Sequence, residues 1–251
     1  MSTISRVNQI LSALFSLAVY TFFIGWKVAF LIVFAVAWHE QCHLWAAKNR
    51  GLQTGNFILI PFIGGMALIK SRYRTYWDQA IVVLAGPFGG GAMAALFALA
   101  YYLTGYSVLA ASAMWMLFLN VFNLLPISFM DGGQLMGTIT YSISKGLGLA
   151  CKAVSLFVGM LILIYLHATG LIIFILFFGG MDIFQEWKNY KAFKAGETWL
   201  CDNSYLKSPK LLSKSQMAMV IGGYLITACL WGGLLIKLIV QTKMGILEGL
   251  K

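Results

Sequence analysis

The sequence predicts an all-α, polytopic membrane protein of about seven transmembrane helices, with a short membrane-associated β-hairpin or re-entrant loop at residues 56–69. Three observations predict it. Hydrophobic residues make up 60% of the 251-residue chain and charged residues only 10%, where soluble domains carry about 25% charged residues. The apolar residues fall in runs close to the roughly 20 residues that a helix needs to cross a bilayer. The Lys and Arg residues collect between the runs rather than within them.

Three function classes are set aside. The formal charge of +10 does not indicate nucleic acid, because no basic stretch is interleaved with aromatics. In a membrane protein, positive charge gathers in cytoplasmic loops and near anionic lipid. Cys42, Cys151, Cys201 and Cys229 show no paired spacing, so no disulfide framework is expected. The chain holds only three histidines, too few for a multi-histidine di-iron oxygenase.

Residues 10–26 form the first apolar run. It is placed like a signal peptide but lacks an A-x-A site, and a second span follows almost at once, so it reads as uncleaved. Lys27 marks a tight turn, and the second span covers 28–47. A basic segment follows, with Lys48, Arg50, Lys70, Arg72 and Arg74, and encloses the apolar stretch Phe57 to Ile69. That stretch is short for a span, and Pro61 with Gly64-Gly65 would break a helix in its middle. Two short arms around a Gly-Gly pair read as a hairpin.

A third span covers 79–103 and includes Gly86-Pro87 and Gly89-Gly90-Gly91, small residues that permit close helix packing. The fourth runs from 107 to 125 and carries Asn120 and Asn123. A polar turn then holds Asp131-Gly132-Gly133. Spans at 147–167 and 171–184, a cytoplasmic segment at 186–214 and a last span at 217–240 complete the reading. It is one integral membrane domain over 1–251, with no internal repeat and no room for an inserted soluble domain.

Orientation follows from the cations. With the N-terminus cytoplasmic, the cytoplasmic segments hold Arg6, Lys48 to Arg74, Lys145, Lys152 and Lys188 to Lys214; the opposite side holds only Lys27, Lys237, Lys243 and Lys251. The second span ends in the cytoplasm just after His43, and the fourth just before Asp131. Both therefore lie near the cytoplasmic face.

The second span contains Trp38-His39-Glu40-Gln41-Cys42-His43, an H-E-x-x-H pattern. On a helix, His39 and His43 share a face one turn apart, a spacing that lets two imidazoles bind zinc. Glu40 sits about 100° round from His39, within reach of a water held by the metal, and suits a general base. A carboxylate at membrane depth is costly and marks a functional site by default. The plain alternative is a chance match with buried, hydrogen-bonded histidines. Cys42 reads as packing, with a ligand role the lesser alternative.

Catalytic zinc usually takes three protein ligands and keeps a position for water. Asp78, Asp131, Asp182 and Glu186 are the acids near the membrane. Asp78 reads as interfacial. Asp182 and Glu186, one turn apart, fit helix-end solvation beside Lys188 but could also face the site. Asp131 is the best candidate: Pro126 ends the fourth helix, and Gly132-Gly133 allow a sharp turn back toward the metal.

These residues carry a resemblance. H-E-x-x-H in one span and Asn123-Leu124-Leu125-Pro126, followed by Asp131-Gly132-Gly133, at the end of a later one resemble the site-2 protease family of intramembrane zinc metalloproteases. The resemblance covers about residues 28–135. Pro61-Phe62-Ile63-Gly64-Gly65 and Ala85-Gly86-Pro87 are similar to weaker family features. Ser128-Phe129-Met130 departs from the Pro-Pro-Leu often found before the Asp, and no Asn follows Gly86-Pro87.

The resemblance implies one zinc per chain held by His39, His43 and Asp131, with Glu40 as the base. The expected reaction is hydrolysis of peptide bonds within or near transmembrane segments of single-span or other membrane-protein substrates, in the lipid bilayer. Asn123 is the expected oxyanion donor, with Asn120 the alternative. The 57–69 stretch is expected to offer an edge strand to an unwound substrate. An inactive relative and a metal-regulated transporter are the competing classes. A transporter would be expected to show internal repeats and paired intramembrane charges.

Overall fold

The computed structural model describes residues 3–62, 64–128, 130–165, 167, 169–195 and 210–248. Expectations for Ile63, Phe129 and residues 196–209, including Cys201, lie outside the described residues. Among the described residues, eight helices and one hairpin follow in the order α1 (Thr3–Ile24), α2 (Trp26–Asn49), β1 (Thr54–Ile60), β2 (Gly64–Ile69), α3 (Tyr76–Thr104), α4 (Ser107–Asn123), α5 (Asp131–Ile143), α6 (Lys145–Tyr165), α7 (Thr169–Lys194) and α8 (Lys214–Glu248).

Four of these helices are long and apolar enough to cross a membrane, over Arg6–Ile24, Trp26–Asn49, Tyr76–Thr104 and Lys214–Thr242; Ser107–Asn123 is apolar but shorter. The expected count of about seven spans is therefore met in part among the described residues. Large apolar side chains face outward, with Phe22 and Tyr165 each 83% exposed and Leu103 77%. A lipid environment would cover such a surface at no cost, whereas water would not.

By backbone contact the chain divides into two compact units, one of Met1–Arg72, Leu84–Phe122 and Leu225–Lys251, the other of Tyr73–Val83 and Asn123–Tyr224. In the first, α1 packs on α2. The break between them falls at Gly25, whose φ of 81° suits glycine, and not at Lys27, which lies in the first turn of α2. A Schellman motif ends α2 six residues after His43. Gly51 has φ 71°, its N–H donates to the Lys48 carbonyl at 2.9 Å, and the Leu52 N–H donates to the Ala47 carbonyl at 3.0 Å.

The chain then enters the hairpin. β1 and β2 are antiparallel, with Ile60 opposite Gly64, Leu59 opposite Gly65 and Ile58 opposite Met66. This bears out the hairpin reading, but its apex differs. Pro61 and Phe62 occupy the turn, Phe62 at φ 65°, while Gly64 and Gly65 begin β2. Phe57 and Leu59 bury against Leu44, tying the sheet to α2.

The core of this unit joins α2, α3, α4 and α8 through Ala35, Ala94, Ala98, Ala113, Met116, Leu117, Trp231 and Leu238. The alanines bring the helices close, and Met, Leu and Trp fill the remaining volume. Pro87 lies inside α3.

In the second unit, α5 packs on α6 and α6 on α7. Thr75 caps the first turn of α3. Its hydroxyl donates to the Asp78 carboxylate at 2.8 Å and accepts from the Asp78 N–H at 3.0 Å.

The element absent from the sequence reading is α5. Residues 131–143 are rich in Gly, Thr and Ser, weak helix formers, and the run is too short to span. Gly132 and Gly133 are helical rather than turn residues. A Cβ on Gly132 would lie 2.1 Å from the Leu124 carbonyl oxygen, and one on Gly133 2.0 Å from that of Ile127. Their purpose is close approach of α5 to the preceding loop.

Candidate metal centre

The centre is built on the buried face of α2. His39 and His43 are 5% and 7% exposed. Their Nε2 atoms face each other at 3.0 Å, and the rings meet at 81°. Two nitrogens bound to one tetrahedral zinc at 2.0–2.1 Å stand about 3.3 Å apart, so the pair needs only a small adjustment to share an ion.

Asn120 of α4 decides which nitrogens are available. It is fully buried. Its Nδ2 donates to the Met116 carbonyl at 2.7 Å, so its Oδ1, 2.8 Å from His39 Nδ1, is an acceptor. His39 therefore carries its proton on Nδ1 and turns the Nε2 lone pair toward His43. Asn120 is also the alternative oxyanion donor of the sequence analysis; in the fold its Oδ1 serves His39 and one Nδ2 hydrogen serves the Met116 carbonyl.

The space beside the two nitrogens is kept open by α3. A Cβ on Gly86 would stand 2.3 Å from His43 Nε2 and 2.8 Å from His39 Nε2. Only glycine leaves room there for an ion. The same helix meets Cys42 at Gly89 and Asn120 at Gly90, where an added Cβ would lie 2.4 Å from the sulfur and 2.1 Å from Asn120 Oδ1. Trp38 Nε1 donates to the Gly89 carbonyl at 3.1 Å. Cys42 is thus packed against α3, as the first of its two readings expected. These glycines do pack helices together, and in doing so Gly86 meets the histidines and Gly90 meets Asn120.

Glu40 is 7% exposed. Gly65 of β2 lies against it, so that a Cβ there would stand 2.4 Å from Glu40 Cγ and 2.7 Å from Oε1. The hairpin backbone therefore reaches the carboxylate of the expected base.

The second unit holds the acids. Asp131 opens α5 and is 7% exposed. A carboxylate in the first turn is favoured by the helix dipole. The nearby Tyr73 phenol is pushed above its ordinary value, first by burial and second by the Asp131 charge. Asp182 is bound to Lys152 at 2.7 Å, and Glu186 lies 4.0 Å from the same ammonium. Asp78 belongs to the α3 cap. Asn123 closes α4 and is half-buried.

A buried histidine pair, a glycine backbone beside its Nε2 atoms and an adjacent carboxylate make a candidate metal centre with the H-E-x-x-H donor set. Residues 27–114 match the model of Peptidase family M50. A zinc metalloprotease of Methanocaldococcus jannaschii is 29% identical over 122 residues, covering 46% of this chain and 35% of that protein. Rip3, a provisionally named zinc metalloprotease of Mycobacterium tuberculosis, is 28% identical over 197 residues, 72% of this chain and 48% of that one. The chain spans between about a third and a half of the length of the curated relatives it matches. The chain is thus similar over residues 27–114 to Peptidase family M50, and the relatives it matches are named as zinc metalloproteases.

Proposed function

We propose that this chain is a membrane-embedded zinc peptidase that hydrolyses peptide bonds within or near transmembrane segments of other membrane proteins. The observation that carries this reading is the pair of Nε2 atoms beside Gly86, with Glu40 next along α2. His39, His43 and Asp131 would hold one zinc; all three are buried and supply the donor types that catalytic zinc takes. When bound, zinc supplies Lewis acidity that activates a water and polarises the scissile carbonyl. Glu40 takes the proton of that water and passes it to the leaving amine.

Asn123 is the proposed oxyanion donor, with Asn120, whose Oδ1 faces His39, the alternative. A substrate helix hides its carbonyls in its own hydrogen bonds and must unwind locally before attack. β2 pairs with β1 in a two-stranded sheet, so its outer edge is suited to pair with an unwound stretch. Gly65 on that strand lies against Glu40, so pairing there would set the substrate backbone beside the base. The excess of Lys and Arg in one set of connections supports a cytoplasmic N-terminus and a centre near that face.

The test uses purified protein in detergent with a single-span substrate. A chelator should stop cleavage, and added zinc should restore it. His43→Ala should neither bind zinc at wild-type affinity nor cleave. Cleavage undiminished in the chelated protein would refute the proposal.

A further inference from the structure

We infer that Ser128, Asp182 and Lys152 form a brace that fixes the loop between α4 and α5 and so positions Asp131; this rests on the reading of Asp131 as a zinc ligand. The loop is closely coupled to the start of α5. The Met130 N–H donates to the Ile127 carbonyl at 2.8 Å, and the Gln134 N–H to the Met130 carbonyl at 2.9 Å. Gly132 and Gly133 lie against the Leu124 and Ile127 carbonyls with no room for a methyl group. A shift of the loop backbone is therefore passed directly to the first turn of α5, where Asp131 sits.

Two other elements hold the loop at its ends and middle. The Tyr224 hydroxyl of α8 donates to the Leu124 carbonyl at 2.6 Å. Ile127 is buried against Gly159 of α6, where an added Cβ would stand 3.1 Å from it. Ser128, next to Ile127, adds a polar tie to a third element. It is 4% exposed, and its hydroxyl donates to Asp182 Oδ2 of α7 at 3.2 Å.

Lys152 of α6 makes Asp182 a dependable acceptor. Its ammonium is 2.7 Å from the same Oδ2 and 4.0 Å from Glu186 Oε1, one helical turn further along α7. The Lys152 side chain is only 9% exposed. The Asp182 side chain is 40% exposed, and an ion pair to so solvated a carboxylate contributes little net stability. What such a pair supplies is geometry. Lys152 ties Asp182 to α6 and places its positive charge beside both Asp182 and Glu186. The Ser128 hydroxyl then reads that fixed position.

The test compares the full chain with Ser128→Ala, Ser128→Thr, Asp182→Asn, Asp131→Ala and the exchanged pair Lys152→Asp/Asp182→Lys. Two quantities are read: amide exchange over residues 124–134, and zinc affinity by chelator competition. Ser128→Ala and Asp182→Asn should speed exchange in that segment and weaken zinc about tenfold, the lower end of losses seen on removing outer-shell partners. Ser128→Thr should retain both properties. The exchanged pair should recover part of what Asp182→Asn loses, which a simple packing role would not allow.

Unchanged exchange in Ser128→Ala and Asp182→Asn overturns the brace. So does faster exchange with full zinc affinity in those variants while Asp131→Ala binds weakly. Faster exchange with full zinc affinity in Asp131→Ala supports the brace and instead overturns Asp131 as a ligand.

Discussion

Gly86→Ala isolates the space that an ion needs. The added methyl would stand 2.3 Å from His43 Nε2, 2.4 Å from His43 Cε1 and 2.8 Å from His39 Nε2. Ordinary carbon–nitrogen contacts are near 3.5 Å, so the overlap is on the order of 1 Å. Without metal the two rings can turn away from the methyl group. To bind zinc they must return to within about 0.2 Å of ligand distance, and the overpacking strain of about 1–3 kcal/mol is then felt in full. At about 1.4 kcal/mol per factor of ten, zinc binding should weaken roughly 5- to 150-fold. Gly222→Ala is the matched control, since a Cβ there meets nothing within 4 Å; it should bind zinc normally and gain up to about 1 kcal/mol of stability. The assay is chelator competition in detergent, with helix content followed in parallel. Wild-type zinc affinity in a folded Gly86→Ala protein would show that the ion does not occupy this space.

Further tests address other parts of the centre. Asn120→Leu removes the acceptor for His39 Nδ1–H and should weaken zinc about 10- to 100-fold, while Asn120→Asp, which can still accept, should bind within a few-fold of wild type; zinc titration of both separates orientation from bulk. Gly65→Val drives a side chain into Glu40 and should abolish cleavage while one zinc per chain is retained, measured by metal analysis of the assayed sample. Gly25→Ala places an L side chain at φ 81° and should cost about 1–2 kcal/mol, read from thermal unfolding. Tyr73 is held protonated in the fold by burial and by Asp131. Above the ordinary tyrosine value, near 10, the unfolded chain loses this proton before the folded one does, so stability should fall as pH rises there. Tyr73→Phe should flatten that alkaline decline in chemical unfolding.

The chemistry of the centre was more legible than its scaffolding. His39, Glu40 and His43 announce themselves because helix geometry turns an i, i+4 spacing into a shared face. The hairpin was legible because Pro61 and the glycines forbid a helix of spanning length. The α5 helix was hidden, since nothing in a Gly-, Thr- and Ser-rich run marks it as helical; its packing on the loop and on α6 overrides weak propensity. Asn120 was visible only as a polar residue in an apolar run. Its duty to His39 depends on how α4 is rotated against α2, a tertiary fact no local pattern carries. Gly86 and Gly65 read as packing or turn residues because the side chains they accommodate belong to α2, far away in sequence. Asp182 shows the reverse case. Its spacing to Glu186 suggested ligands or solvated charges; Asp182 is 40% exposed, in keeping with the second reading, but its cation is Lys152, thirty residues earlier, which no local pattern shows.

The most direct test of the account is Glu40→Gln, with zinc and cleavage measured in the same purified sample. Amide for carboxylate preserves the volume against Gly65 and leaves His39 and His43 untouched, so the protein should keep one zinc per chain. It should fail to cleave a single-span substrate that the wild type cleaves. Cleavage by Glu40→Gln at the wild-type rate, with zinc bound, would contradict the assignment of Glu40 as the base.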